Sequence, residues 1–98
     1  MNNIQHISAQ ELKQKMSKGE QPFLLDVREE FEHELFNIGG LLIPLGEVLN
    51  KAAKIPSDQP VIVYCRKGIR SQIAIQKLQE KGFSNLINLK GGVEKWEH

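Results

Sequence analysis

Val61-Ile62-Val63-Tyr64 constrains this chain more than any other segment. Its first three positions are β-branched and no polar residue alternates with them, so a strand here must be covered on both faces. That is the condition of a central strand in a parallel sheet, and it demands helices on either side. The remaining sequence supplies them. Ser8-Ala9-Gln10-Glu11 has the spacing of a capping box and opens a helix through about Lys18, stopped by Gly19. Pro22 to Val27 reads as a buried strand. Glu29 to Phe36 reads as a short amphipathic helix with Phe31, Leu35 and Phe36 available for one face.

Gly39-Gly40 breaks that stretch, and Leu41-Leu42-Ile43 makes a further strand ended by Pro44. A weak helix is expected over 46–54, with Val48, Leu49 and Ala52 inward, before the turn Pro56-Ser57-Asp58-Gln59-Pro60. After the central strand, a helix is predicted over about 71–81, with Ile73, Ala74, Ile75 and Leu78 inward and Gly82 as its C′ glycine. Asn85 to Leu89 is a last strand, and Gly91-Gly92 opens a short helix whose Val93 and Trp96 anchor it to the core. Strands alternating with helices at this spacing define an α/β layer fold, with a mostly parallel central sheet of about five strands flanked by helices. At 98 residues with no internal repeat or linker, residues 1–98 are expected to form one domain.

Charge and cysteine content narrow the function. Thirteen Lys+Arg against twelve Asp+Glu leave a net charge of +1, which gives no support to a nucleic-acid or anionic-membrane partner. The apolar runs are too short to span a bilayer, and Met1 to His6 has neither the basic nor the apolar region of a secretory signal. A cytoplasmic protein is therefore expected. The single cysteine, Cys65, excludes an internal disulfide and any cysteine-pair metal motif. His6, His33 and His98 lack metal-ligand spacing, and the glycine pairs match no phosphate-binding pattern.

Cys65 directly follows the central strand and precedes the best helix by a few residues. In parallel sheets that junction is where ligands bind. Cys65-Arg66-Lys67-Gly68-Ile69-Arg70-Ser71 combines a thiol, a loop glycine and three cations at the positive end of a helix. Each of these favours a thiolate and a bound anion. A buried structural thiol beside a solvated cationic face is the alternative.

The order of several motifs resembles that of a single-domain rhodanese. These are Asp26-Val27-Arg28-Glu29, Ile43-Pro44-Leu45, Val63-Tyr64-Cys65-Arg66-Lys67-Gly68-Ile69-Arg70-Ser71, Gly82-Phe83, and Leu89-Lys90-Gly91-Gly92 with Trp96. The resemblance runs from about Ile7 to Trp96 and implies the three-layer rhodanese-like α/β fold. It also implies a sulfurtransferase that moves sulfane sulfur through a persulfide on Cys65, from thiosulfate or a persulfide to cyanide or a thiol. By the same resemblance the amides of Arg66 through Arg70 cradle the sulfurs, and Arg66 and Lys67 suit an anionic donor. Arg70 clamps an anion or ties the loop to a carboxylate, and Ser71 is counted with Arg66, Lys67, Gly68, Ile69 and Arg70 as substrate-binding. Asp26 and Arg28 brace it. No metal or organic cofactor is implied, and a sulfur-relay protein is a candidate partner.

One stretch departs from the family's usual Gly-His-Ile-x-Gly-Ala. Here it reads Phe36-Asn37-Ile38-Gly39-Gly40-Leu41, so Asn37 stands where histidine is usual, and His33 does not align with it. That bears on loop bracing. This form resembles rhodanese domains attached to adenylyltransferases of molybdopterin and thiamine sulfur transfer. Two rival readings use the same loop. One is a non-catalytic sulfur carrier or docking module. The other is a phosphatase of the dual-specificity or arsenate-reductase type, which needs five residues between cysteine and arginine where Cys65 and Arg70 enclose four.

Overall fold

In the computed structural model, which describes residues 3–96, the Val61–Tyr64 strand lies at the centre of a five-stranded sheet. The elements are β1 (Gln5–Ile7), α1 (Ala9–Ser17), β2 (Phe23–Asp26), α2 (Glu30–Leu35), β3 (Leu41–Leu42), β4 (Val61–Tyr64), α3 (Ile69–Glu80), β5 (Leu86–Leu89) and α4 (Gly92–Trp96). The strand order is β1-β5-β4-β2-β3, and every pair is parallel. Met1 and His98, both part of the sequence reading, lie outside the described residues.

The missing alternation in β4 has a direct cause: its odd and even residues enter two different cores. Val61 and Val63 join Leu25, Val27, Ile43, Val48, Ala74, Ile75 and Leu78 beneath α3. Ile62 and Tyr64 join Ile7, Leu12, Leu24, Leu89 and Val93 beneath α1 and α4. All four β4 residues are buried, and the result is three layers with the sheet in the middle. The capping box of α1 forms as its spacing requires: Glu11 N donates to Ser8 Oγ at 3.0 Å and Ser8 N to Glu11 Oε1 at 2.9 Å.

Several boundaries and faces differ from the sequence-based expectation. β1 was not expected; three residues are too few to carry a periodicity, and it forms by lying against β5. The weak helix over 46–54 is instead two single 3-10 turns, Leu45–Glu47 and Ala52–Lys54. Their tighter winding keeps Val48 buried but turns Leu49 outward. α3 begins at Ile69, and its inward stripe is Ser71, Ala74, Ile75 and Leu78, a clean helical spacing that leaves Ile73 at 40% exposure. Finally, α2 buries no residue: Phe31 and Leu35 are exposed, and Phe36 just beyond it is 37% exposed.

Candidate active site

β4 ends at Tyr64, and the next residue places its sulfur under the start of α3. The N-cap of α3 is Gly68, at φ +92°, and it has no side chain with which to cap the helix. Cys65 takes over that task. Its Sγ accepts hydrogen bonds from Gly68 N at 3.1 Å and from Ser71 N at 3.3 Å, with Ser71 Oγ at 3.4 Å. The amide of the third helical residue is the one a capping side chain ordinarily satisfies. A sulfur in that place faces the positive end of a helix of twelve residues.

Backbone from the last helix clamps the loop from behind. Val93 N donates to Cys65 O and Glu94 N to Arg66 O, both at 3.0 Å. This approach is close enough that a Cβ on Gly92, at φ +65°, would overlap the Arg66 carbonyl group. The Gly91-Gly92 pair is thus a packing requirement of the cysteine loop as well as a turn.

The loop's cations take different places. Arg70 forms a two-pronged ion pair with Glu32, at 2.7 and 2.9 Å, so of its two expected roles the geometry shows the tie to a carboxylate. The Arg70 guanidinium holds the Glu32 carboxyl well below the usual range, to about 2. Arg66 is exposed, with Nε 3.9 Å from Glu94 Oε1, and Lys67 is exposed. Ile69 is also exposed, on the first turn of α3.

Asp26 and Arg28 form a buried brace at the end of β2. Arg28 Nε and Nη2 donate to the two carboxylate oxygens of Asp26 at 2.9 and 2.8 Å, and Nη2 also donates to Phe36 O at 2.7 Å. The Asn37 departure is resolved in the same place. His33, one helical turn earlier, puts its Nδ1 2.8 Å from Asp26 Oδ2. Asn37 itself ties the turn, donating to His33 O and accepting from Gly39 N. Tyr64 donates to Gly39 O at 2.8 Å, and burial, aided by the Asp26 charge, pushes its phenol pKa up.

A cavity of about 450 Å³ opens beside the loop, lined by residues that include Arg28, Phe31, Glu32, Leu35, Phe36 and Arg66. Cys65 does not line it and is 1% exposed. Sequence reasoning missed four contributors to this region: Glu32, His33, His6 and Asn88. Asn88 alone carried a local signal, as a polar residue inside the buried strand β5. Among the described residues, no cluster of His, Cys, Asp and Glu could hold a metal ion, and no helix is long and apolar enough to cross a membrane.

This fold and site define a class: parallel α/β domains that hold one cysteine sulfur in an amide-lined loop between a central strand and the next helix. Comparison with known proteins gives the family. The rhodanese-like domain model matches residues 8–98. The chain is 36% identical over 95 residues to the putative sulfur carrier protein YrkF of Bacillus subtilis, covering 96% of this chain and 51% of that protein. It is 34% identical to the putative sulfurtransferase YtwF of the same organism, covering 96% of this chain and 91% of that protein. The crystal structure of a rhodanese-related protein from Thermoplasma volcanium superposes with a TM-score of 0.82 at 29% identity, over 95% of this chain and 90% of that one. The chain belongs to the rhodanese-like domain family of the sulfurtransferase superfamily, and it spans about half the length of YrkF.

Proposed function

We propose that this chain is a thiosulfate sulfurtransferase working by double displacement at Cys65. The observation that carries the reading is the sulfur of Cys65 accepting two backbone N–H bonds at the start of α3, at 3.1 and 3.3 Å. Those donors fit an anionic sulfur, whether thiolate or persulfide. In the first half-reaction the Cys65 thiolate attacks the outer sulfur of thiosulfate. A bond forms between the two sulfurs, the sulfur–sulfur bond of thiosulfate breaks, and its electron pair leaves with sulfite. In the second, cyanide or a thiolate attacks the outer sulfur of the persulfide and expels the Cys65 thiolate. No oxidant enters either step.

Arg66 and Lys67 are the donor-gathering cations. Both are exposed beside the buried sulfur, and among the described residues neither has a close ion-pair partner to match the Arg70–Glu32 pair. They stabilise the incoming dianion and the departing sulfite. Gly68, Ile69 and Ser71 shape the loop, Arg70 ties it to α2, and Asp26 and Arg28 brace the floor of the cavity. A protein thiol is a suitable acceptor as well as cyanide, because exposed Phe31 and Leu35 line that cavity.

Initial rates of thiocyanate formation from thiosulfate and cyanide test the reading. Double displacement predicts parallel double-reciprocal lines, no turnover in Cys65→Ser, and at least about a threefold higher thiosulfate KM in Lys67→Ala. Turnover in Cys65→Ser would end the proposal, and an unchanged KM in Lys67→Ala would remove that residue from donor binding.

A further inference from the structure

Behind Cys65 a polar chain runs from Ser71 through Asn88 to His6, and the sulfur-transfer reading does not use its last two members. Ser71 Oγ lies 3.4 Å from the cysteine sulfur and donates a hydrogen bond to Asn88 Oδ1. Asn88 Nδ2 in turn lies 3.1 Å from His6 Nδ1. Ser71 and Asn88 are fully buried, and His6 stands at the exposed sheet edge, in register with Asn88 across the β1–β5 pair. The surroundings add no ion pair: among the described residues none includes His6. The flank of α3 towards β1 carries Gln72, Gln76 and Gln79, and Gln79 donates to Asn3 O there.

The polarity of this chain follows from its atoms. An amide nitrogen can only donate, so His6 Nδ1 accepts, and Asn88 is held with its oxygen towards Ser71. That oxygen takes the single Ser71 hydroxyl proton. When Cys65 is a thiol, its proton has Ser71 Oγ as acceptor. When Cys65 is anionic, it competes with Asn88 for the same hydroxyl proton.

We propose that Asn88, anchored by His6, is a positioning residue for the sulfur chemistry, because it withholds the Ser71 proton from the Cys65 sulfur. The proposal rests on Cys65 being the sulfur-handling thiol. Its consequence is a tempered stabilisation: a thiolate held by one donor fewer is a stronger nucleophile. The two backbone amides remain as the fixed part of the cradle, and the hydroxyl is its adjustable part.

The pH dependence of iodoacetamide alkylation tests this, since the chain has one cysteine. Asn88→Leu frees the Ser71 hydroxyl for the sulfur, so the midpoint of the alkylation curve moves to lower pH by about half a unit to one unit. The plateau rate at high pH falls by about two- to threefold. His6→Phe, at the exposed edge, moves the midpoint in the same direction by less, and it carries the test if Asn88→Leu does not fold. With the hydroxyl removed there is no proton for Asn88 to withhold, so adding Asn88→Leu to Ser71→Ala produces no further shift. A midpoint that stays or rises in both Asn88→Leu and His6→Phe overturns the proposal, as does a shift that persists in the Ser71→Ala background. Alkylation reads the thiol alone. A chain that shows these shifts yet takes no sulfur from thiosulfate keeps the effect of Asn88 on the thiol and loses the sulfur-transfer reading.

Discussion

Replacing Gly92 with alanine tests whether the last helix holds the cysteine loop in shape. Gly92 sits at φ +65°, where an L side chain costs about 1 kcal/mol. The added Cβ would overlap the carbonyl carbon and oxygen of Arg66 and stand 2.5 Å from Cys65 O. All three neighbours are backbone, so no rotamer change relieves the clash. The two segments must separate, and the bonds from Val93 N to Cys65 O and from Glu94 N to Arg66 O are lost. At about 1 kcal/mol each, these bring the cost to about 3 kcal/mol. For a domain of this size that lowers Tm by roughly 12–25 °C. Gly82→Ala is the control: Gly82 has φ +101° but nothing within 4 Å of the new Cβ, so it bears the conformational cost alone. Thermal unfolding of the two variants, with sulfur transfer assayed below both transitions, separates the contributions. The reasoning fails if Gly92→Ala melts within about 4 °C of Gly82→Ala and transfers sulfur at the unsubstituted rate.

Two further outcomes follow from the ion pairs around the loop. The Glu32 carboxyl is lowered from 4.5 to about 2, chiefly by its hydrogen bonds with Arg70. A depressed folded-state value gives stability that is complete above the unfolded carboxyl's value and lost as pH falls through about 2. After allowance for solvent screening this amounts to about 1 kcal/mol, and urea unfolding from pH 6 to pH 2 should show that part of the acid sensitivity missing in Glu32→Gln. Asp26→Asn strands the buried Arg28 guanidinium and should cost about 3–5 kcal/mol. The double variant Asp26→Asn/Arg28→Met should be more stable than Asp26→Asn alone; a less stable double variant would contradict the account of the brace.

The parts of the fold that could be read from sequence are those whose signal is local. β4 announces itself because two covered faces leave no room for polar alternation, and α1 because its capping box needs four adjacent residues. The strand-to-helix junction at Cys65 follows from those same local rules. β1 could not be read that way, since its three residues become a strand only when β5 lies beside them. Ile73 is exposed because packing on the sheet, and not apolar character, selects the inward face of α3, and that face takes Ser71 with Ala74, Ile75 and Leu78. Within the site, the long-range partners were silent for the same reason. Glu32 meets Arg70 across 38 positions and His6 meets Asn88 across 82, and neither spacing leaves a pattern in the chain. The Asn37 departure is instructive: the residue differs from the family's usual one, yet His33 reaches the Asp26 carboxylate from one helical turn away.

The central claim is that Cys65 carries sulfur. Intact-protein mass spectrometry after thiosulfate, and again after cyanide, addresses it most directly on the unsubstituted chain and on Cys65→Ser. The account predicts a gain of one sulfur atom that cyanide removes and that Cys65→Ser never acquires. An unchanged mass after thiosulfate, or the same gain in Cys65→Ser, would contradict it.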